Sequence, residues 1–220
     1  MLKKIALITT FTFLCITSLF SQEKFRLSFV ASPQLGWIKT SDHSIEDAKA
    51  RFGFNFGIES DIFLDSDKRY SFLTGVMLSS MGSKVTYNED KVINDTAIKA
   101  GEDVKIGYKF IEIPAAIKLR SNQTHRSVFY AQFGLSNWIN IGSSITTEDD
   151  ALKGDSIKDN LSFFNMGYNV GGGLEYDLGG RNALNIGVLY QNGFTDISTN
   201  DSFMKNSSLR NVRLNLAFIF

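Results

Sequence analysis

The amino-acid sequence predicts an all-β fold: an eight-stranded antiparallel up-and-down transmembrane β-barrel with short turns at one end and long loops at the other. Apolar residues alternate with polar residues or glycine through eight segments, which is typical of strands with one apolar face. The connections between these segments are alternately long and short. The 220 residues include 19 Phe, 7 Tyr and 18 Gly but only 2 Pro, a composition that favours strands over a disordered or collagen-like chain.

The first 21 residues are typical of a secretory signal peptide. Two lysines near the start precede a mostly apolar stretch, and the small residue Ser21 ends the segment, so cleavage is expected there. The apolar run is shorter than the roughly 18–20 residues that a membrane helix needs, which makes a membrane anchor the weaker interpretation. Cys15, the single cysteine, lies in this segment, so the predicted barrel domain (residues 22–220) contains no thiol or disulfide.

Four alternating segments form the first half of the predicted barrel. The first runs from Phe25 to Trp37 and the second from Phe52 to Ile62, each with apolar residues at almost every second position. The third begins at Tyr70 and alternates to residue 79. In the fourth, residues 104–120, the apolar positions are even-numbered up to Phe110 and odd-numbered from Ile111 onwards. This change of parity predicts a β-bulge near Phe110.

Four further segments complete the predicted barrel. They cover residues 129–142, 164–177, 184–193 and 211–220. In each of them apolar residues alternate with glycine, asparagine or charged residues, and the last segment ends on Phe220. Eight such segments are enough to close a small barrel.

The connections indicate how the barrel lies in a membrane. Long connections are predicted at residues 39–50, 86–103, 146–161 and 198–208, and short ones at 65–69, 121–126 and 179–182. Outer-membrane barrels have short periplasmic turns and long extracellular loops. An even number of strands returns both chain ends to the short-turn side, so this end is expected to face the periplasm.

Alternation alone does not say which face of the sheet lines the interior. A soluble lipocalin-like binding protein would have its apolar face inside. The bore of an eight-stranded barrel is just wide enough for side chains to fill, and the large aromatic residues of all eight strands would overfill it. Glycine is concentrated on the polar face, where it leaves room for long neighbouring side chains. The polar face is therefore predicted to line the lumen and the apolar face to contact lipid.

Charged residues on the polar face are predicted to form a network in the lumen. Isolated charges there would carry a large desolvation cost, so pairing is expected. The predicted network consists of the cations Arg26, Arg51, Lys105, Lys109, Lys118, Arg120 and Arg213 and the anions Glu59, Asp61, Glu112, Glu175 and Asp177. We expect this network to plug the bore; a conduit or binding cavity is the alternative.

No catalytic, cofactor or metal site is predicted. The 23 basic residues balance the 23 acidic ones, so the basic surface expected of a nucleic-acid-binding protein is missing. His43, with Asp42 and Ser44 beside it in the first long connection, is the one candidate for a catalytic trio, and adjacent loop residues rarely hold catalytic geometry. His125 lies at the opposite end of the barrel.

Acidic residues outnumber basic ones in the four long connections. Next to anionic lipid headgroups such loops repel the membrane surface unless divalent cations bridge them. The loops are therefore hypothesised to depend on calcium or magnesium for their order, although their spacing does not match a calcium-binding loop.

Two stretches resemble a known family. The run from Tyr108 to Pro114, with sequence YKFIEIP, and the alternation that closes on Phe220 are similar to those of small bacterial outer-membrane β-barrel proteins, the PorT-like or outer-membrane β-barrel domain family. The resemblance implies a location in the outer membrane and contact with its lipid. It also implies that the barrel-assembly machinery recognises Phe218 and Phe220 as a C-terminal signal.

The resemblance implies a non-enzymatic role without a cofactor. Some family members serve in protein secretion or gliding, so a function as an envelope scaffold, a docking element or a secretion-associated component with other envelope proteins is expected. A narrow porin-like channel and a lipid-modifying outer-membrane enzyme are the alternatives.

Overall fold

The computed structural model describes residues 24–41, 44–93, 96–147, 153–157, 161–199, 204 and 206–220, and the signal-peptide prediction lies outside them. Within these residues the chain forms strands only. They are β1 (Phe25–Thr40), β2 (Ile45–Phe63), β3 (Tyr70–Tyr87), β4 (Lys91–Ile93), β5 (Thr96–Ile98), β6 (Asp103–Arg120), β7 (Ser127–Thr147), β8 (Lys153–Ser156), β9 (Phe164–Gly179), β10 (Asn182–Gly193) and β11 (Ser207–Ile219).

The eight long strands form one closed antiparallel barrel. Each long strand pairs with the next long strand in the chain, and β11 returns to pair with β1, where Ser28 lies opposite Ile219. The short strands β4 and β5 form a separate hairpin, and β8 extends the sheet beside the upper end of β7. The predicted fold class, an eight-stranded up-and-down barrel, is confirmed.

The three short connections lie at one end of the barrel, which we call the short-turn end. In the turn between β2 and β3 the Asp65 carboxylate accepts hydrogen bonds from the backbone N–H groups of Arg69 and Tyr70, at 3.1 and 2.9 Å. The long connection predicted at residues 39–50 is wrong, because β1 ends at Thr40 and β2 begins at Ile45. Beyond the membrane an apolar outer face is no longer required. The start of β2 therefore pairs with β3 although apolar and polar residues do not alternate there.

The outer surface of the barrel carries the large apolar side chains. Phe54 and Leu214, for example, are 42% and 43% exposed, whereas the alternate positions Asn55 and Arg213 are buried inside. A soluble barrel with an apolar interior and a polar outer face is therefore wrong for this chain. The barrel strands contain 12 to 21 residues, more than the roughly 9–11 needed to cross a membrane, so they extend beyond it.

No helix in the described part of the chain has the length and apolar character needed to cross a membrane.

The predicted bulge lies at the level of Phe110 but in the neighbouring strand. Lys109 pairs with Gly142 and Phe110 pairs with Asn140, so Ile141 of β7 is the extra residue. Strand β6 keeps a single parity along its whole length, with every even-numbered residue buried. The apolar first half of β6 therefore faces inward, opposite to the prediction, because the extended upper barrel encloses an apolar interior.

The glycines of the lumen make room for larger side chains, as predicted. The Tyr130 ring lies against Gly173 and Gly187, and its hydroxyl donates a hydrogen bond to Asn185 Oδ1 at 2.9 Å. A Cβ atom at Gly187 would lie only 2.2 Å from the Tyr130 hydroxyl oxygen. Any larger residue at Gly187 would therefore displace Tyr130 from the lumen wall.

Candidate functional site: the barrel lumen

Five charged side chains form a lower cluster across the bore near the short-turn end. Arg26 Nη2 lies 2.6 Å from Glu175 Oε2 and 3.3 Å from Asp61 Oδ2. Lys118 Nζ lies 2.6 Å from Glu175 Oε1 and 3.6 Å from Asp61 Oδ2, and Arg120 forms ion pairs with both carboxylates. Since these residues come from β1, β2, β6 and β9, the lower cluster ties together strands on several sides of the barrel.

A second polar layer, the middle cluster, surrounds Glu112. Its carboxylate accepts hydrogen bonds from Arg213 Nη2 at 2.5 Å, Gln191 Nε2 at 2.6 Å and Asn55 Nδ2 at 2.9 Å. Arg213 also donates to Gln191 Oε1 at 2.9 Å and to Gln34 Oε1 at 3.4 Å. All five side chains are buried, so the middle cluster is a hydrogen-bonded plug without solvent contact.

Glu59 faces the lumen between these two clusters. Its side chain is buried, and among the described residues it forms no ion pair within 4.0 Å. The lower cluster has three cations and two carboxylates, whereas Arg213 and Glu112 balance each other in the middle cluster. Glu59 therefore lies next to a cluster with one more cation than carboxylate, without pairing directly with any of its members.

The long-loop end of the lumen is apolar. Tyr108 and Phe110 of β6 stack with ring centroids 5.9 Å apart, and Trp138 and Met81 are buried beside them. Residues of the connections cover this group from above: Ile98, Ile157, Leu161, Ile197 and Met204. We call this set the upper core. It closes the bore with packed side chains where the sequence predicted a polar lumen.

The structure places ten residues of the predicted charge network in four groups. Arg26, Asp61, Lys118, Arg120 and Glu175 meet in the lower cluster, and Glu112 and Arg213 meet in the middle cluster. Glu59 lies between them. Two further residues face other partners: Arg51 donates to the backbone carbonyl of Ile106 at 3.1 Å, and Asp177 accepts from the backbone N–H of Gly179 at 2.7 Å in a turn.

Lys105 and Lys109 were predicted to lie in the lumen, and this prediction is wrong. Both side chains are exposed on the outer surface of the barrel near the long-loop end, because β6 does not change parity at Phe110. At this height the outer surface has left the apolar belt, and lysine on the outside carries no desolvation cost there.

The remaining predicted residues lie on the surface or outside the described residues. Phe218 and Phe220 are exposed on the outer face at the end of β11, with ring centroids 6.5 Å apart. His125 lies in the turn between β6 and β7, and His43 falls outside the described residues. In the described part of the chain, no group of three or more His, Cys, Asp or Glu side chains could hold a metal ion.

Sequence reasoning missed the buried amides and the upper core. Gln34, Asn55 and Gln191 occupy lumen-facing positions, but nothing in a single sequence shows that they converge on one carboxylate. The upper core could have been found from β7, where Ile145 and Thr147 continue the inward face in odd-numbered positions after the bulge.

Comparisons with known proteins agree with this geometry. Residues 20–199 match the family model for the outer membrane protein beta-barrel domain. Neisserial surface protein A is similar in structure, with 16% identity, a TM-score of 0.50 and coverage of 90% of this chain and 96% of that chain. No curated protein sequence matches the chain.

Two other outer-membrane proteins are more distant. Ail, the attachment invasion locus protein of Yersinia pestis, has 11% identity and a TM-score of 0.40, with 90% of this chain and 99% of that chain covered. OprG of Pseudomonas aeruginosa has 10% identity and a TM-score of 0.42, with 90% and 96% covered. At such identities a likeness concerns the fold alone. The family model, in contrast, covers most of the chain, from before β1 to beyond β10. The chain therefore belongs to the outer membrane protein beta-barrel domain family and is an outer-membrane β-barrel protein.

Proposed function

We propose that this protein is a closed, non-conducting barrel that serves as a scaffold or docking component of the cell envelope. The observation that carries the proposal is the filling of the lumen by three successive layers: the lower cluster, the middle cluster and the upper core. A channel needs a continuous polar path through the barrel. Here the polar side chains within the lower cluster and within the middle cluster pair with one another, and the third layer is apolar.

The role follows from what remains available to a partner. With the lumen filled, the surfaces left for recognition are the long-loop end, the short-turn end and the outer wall. A part in a secretion or gliding machine, implied by the PorT-like resemblance, belongs to this proposal, as does recognition of Phe218 and Phe220 by the barrel-assembly machinery. The proposed role is non-catalytic, because none of the three layers combines a nucleophile, a base and access for a substrate.

Conductance of the purified full-length protein tests the proposal. After refolding and insertion into a planar lipid bilayer, we expect no discrete current steps at either polarity, while a porin in the same bilayer conducts. A preparation kept unfolded by heating is the control for contaminants. Current steps that scale with the amount of folded protein and vanish in the heated sample would identify a narrow channel instead.

A further inference from the structure

A cavity of about 590 Å³ opens at the short-turn end of the barrel, below the lower cluster. Its volume lies in the range of small-ligand pockets, roughly 300–1,000 Å³. It is bounded by the start of β1, the ends of β2 and β9, the turn between β9 and β10, and the end of the chain. Arg26 and Glu175 of the lower cluster form its floor, and the middle cluster and the upper core lie above it.

The cavity wall has an apolar side and a charged side. The apolar side consists of Phe25, Phe63, Val128, Ala183 and Phe220. Arg26, Lys68, Arg181, Glu175 and Asp177 provide the charged side, with the amides of Gln123 and Asn182 between them. A ligand that fills this space has to bring an apolar part and a polar part, which is the usual chemistry of a small-molecule pocket.

The carboxylates of the wall are already engaged. Glu175 forms ion pairs with Arg26, Lys118 and Arg120, and it is buried at the cavity floor. Asp177 accepts the backbone N–H of Gly179 at 2.7 Å and lies 3.5 Å from Gln123 Nε2. Little acceptor capacity remains for a cationic ligand.

Two arginines of the wall, Arg26 and Arg181, can still donate to a ligand. Arg26 forms its two ion pairs through Nη2, and its side chain is still 23% exposed. Arg181 lies exposed on the tight turn after β9, and none of the described carboxylates lies within 4.0 Å of its guanidinium. Guanidinium groups bind carboxylates through charge-assisted, often bidentate hydrogen bonds. The free donors of the cavity therefore favour an anion over a cation.

We propose that this cavity binds a small amphipathic carboxylate. Arg181 and Arg26 bind the carboxylate group, and the apolar part lies against Phe63 and Val128. Two sources present this chemistry on the periplasmic side: a free carboxylic acid with a short apolar chain, and the C-terminal carboxylate of a peptide that ends in an apolar residue. Both leave the engaged carboxylates of the floor undisturbed.

Binding is tested by NMR on the full-length protein in lipid nanodiscs. The probes are hexanoate, hexylamine, and the tripeptide Ala-Ala-Phe with a free or an amidated C terminus. We expect saturable shifts at Arg181 and Asn182 with hexanoate or the free tripeptide, and none with hexylamine or the amidated tripeptide. The response to the two carboxylates decides between the sources.

Matched variants locate the site. Arg181→Gln removes a charge-assisted hydrogen bond and is expected to weaken binding of the responding carboxylate about tenfold or more. Arg69→Gln is the control, because this exposed arginine lies at the same end of the barrel but outside the cavity wall, and it should leave binding unchanged. The proposal is overturned if neither carboxylate binds, if hexylamine binds equally well, if Arg181→Gln has no effect, or if both variants weaken binding alike.

Discussion

Arg213 and Glu112 are fully buried in the lumen and bind each other at 2.5 Å. Removing one partner of such a pair leaves the other charge buried without compensation, which costs about 3–5 kcal/mol. We expect Glu112→Ala to destabilise the barrel by this amount. The double variant Glu112→Leu with Arg213→Met should recover most of the loss, because it removes both charges and fills the space with apolar side chains.

The free energies of unfolding of these variants can be measured by urea titration in lipid vesicles, with heat-modifiable migration as the signal for the folded barrel. In Glu112→Ala, Gln191 still accepts from Arg213 and donates to Ser136, so the single variant should fold at low urea. A double variant as unstable as Glu112→Ala would show that the loss comes from packing and not from the unpaired arginine.

Asp103 lies outside the membrane at the start of β6, and its neighbours lower the pKa of its carboxylate. Its carboxylate pairs with the Lys84 ammonium and accepts a hydrogen bond from Thr86 Oγ1 at 2.5 Å, and these contacts lower the pKa of Asp103 below its ordinary value of 3.8. Because the folded-state pKa is the lower one, the stabilisation is present above pH 3.8 and is lost as the pH falls through the folded-state pKa.

A carboxyl-carbon NMR titration should therefore give a midpoint for Asp103 below pH 3.8. In Lys84→Met the midpoint should move upwards, since the largest cause of the shift is the hydrogen bond from Lys84. Lys39→Met, on the distant strand β1, is the control and should leave the midpoint in place. An unchanged midpoint in Lys84→Met would mean that the ion pair is not formed in solution.

At the level of whole strands, the alternation of apolar residues was a reliable guide only where a membrane lies outside. Strands β1, β2 and β9 face the way their sequences predict, because lipid on one side and a polar lumen on the other impose opposite requirements on neighbouring residues. In the upper part of β6 both sides differ from this pattern: Tyr108 packs in the apolar upper core and Lys109 meets water. In this part of β6 the apolar residues of the alternation face inward and the polar ones face outward. A single sequence does not distinguish this orientation from the opposite one.

The pairing of β6 with β7 depends on close approach at a glycine. A Cβ atom at Gly134 would lie 2.3 Å from the carbonyl oxygen of Ala115 and 2.3 Å from Ala116 Cα. Gly134→Ala must therefore push the two strands apart, and overpacking of this kind costs about 1–3 kcal/mol. We expect a lower urea midpoint and less folded protein in the outer membrane.

Gly142→Ala provides the matched control for Gly134→Ala. Gly142 lies in the same strand, and a Cβ atom at this position would lie 3.9 Å from its nearest neighbours, both on Lys109, which is ordinary contact. The stability of this variant should be close to that of the unmodified protein. Equal destabilisation by both substitutions would show that strand propensity, and not the approach of β6 to β7, sets the need for glycine.

Considered as a whole, the molecule closes its bore three times along its axis. Sequence reasoning predicted the polar closure because charged residues on a barrel's inner face have to pair. It could not predict what covers the upper core, namely residues such as Ile98 and Leu161 that fold back from the connections over Trp138. Such contacts join positions far apart in the chain and leave no local pattern.

Because the three layers lie in series, opening one of them should leave the barrel closed to ions. Trp138→Ala removes the largest buried side chain of the upper core, at a cost of about 3–5 kcal/mol, and Glu112→Ala with Arg213→Ala empties the middle cluster. Both variants, verified as folded by their heat-modifiable migration, should stay silent in planar bilayers. A variant that combines these substitutions with Glu175→Ala and Arg120→Ala in the lower cluster should conduct. Current steps from Trp138→Ala alone would mean that the upper core is the single barrier and that the polar clusters below it let ions pass.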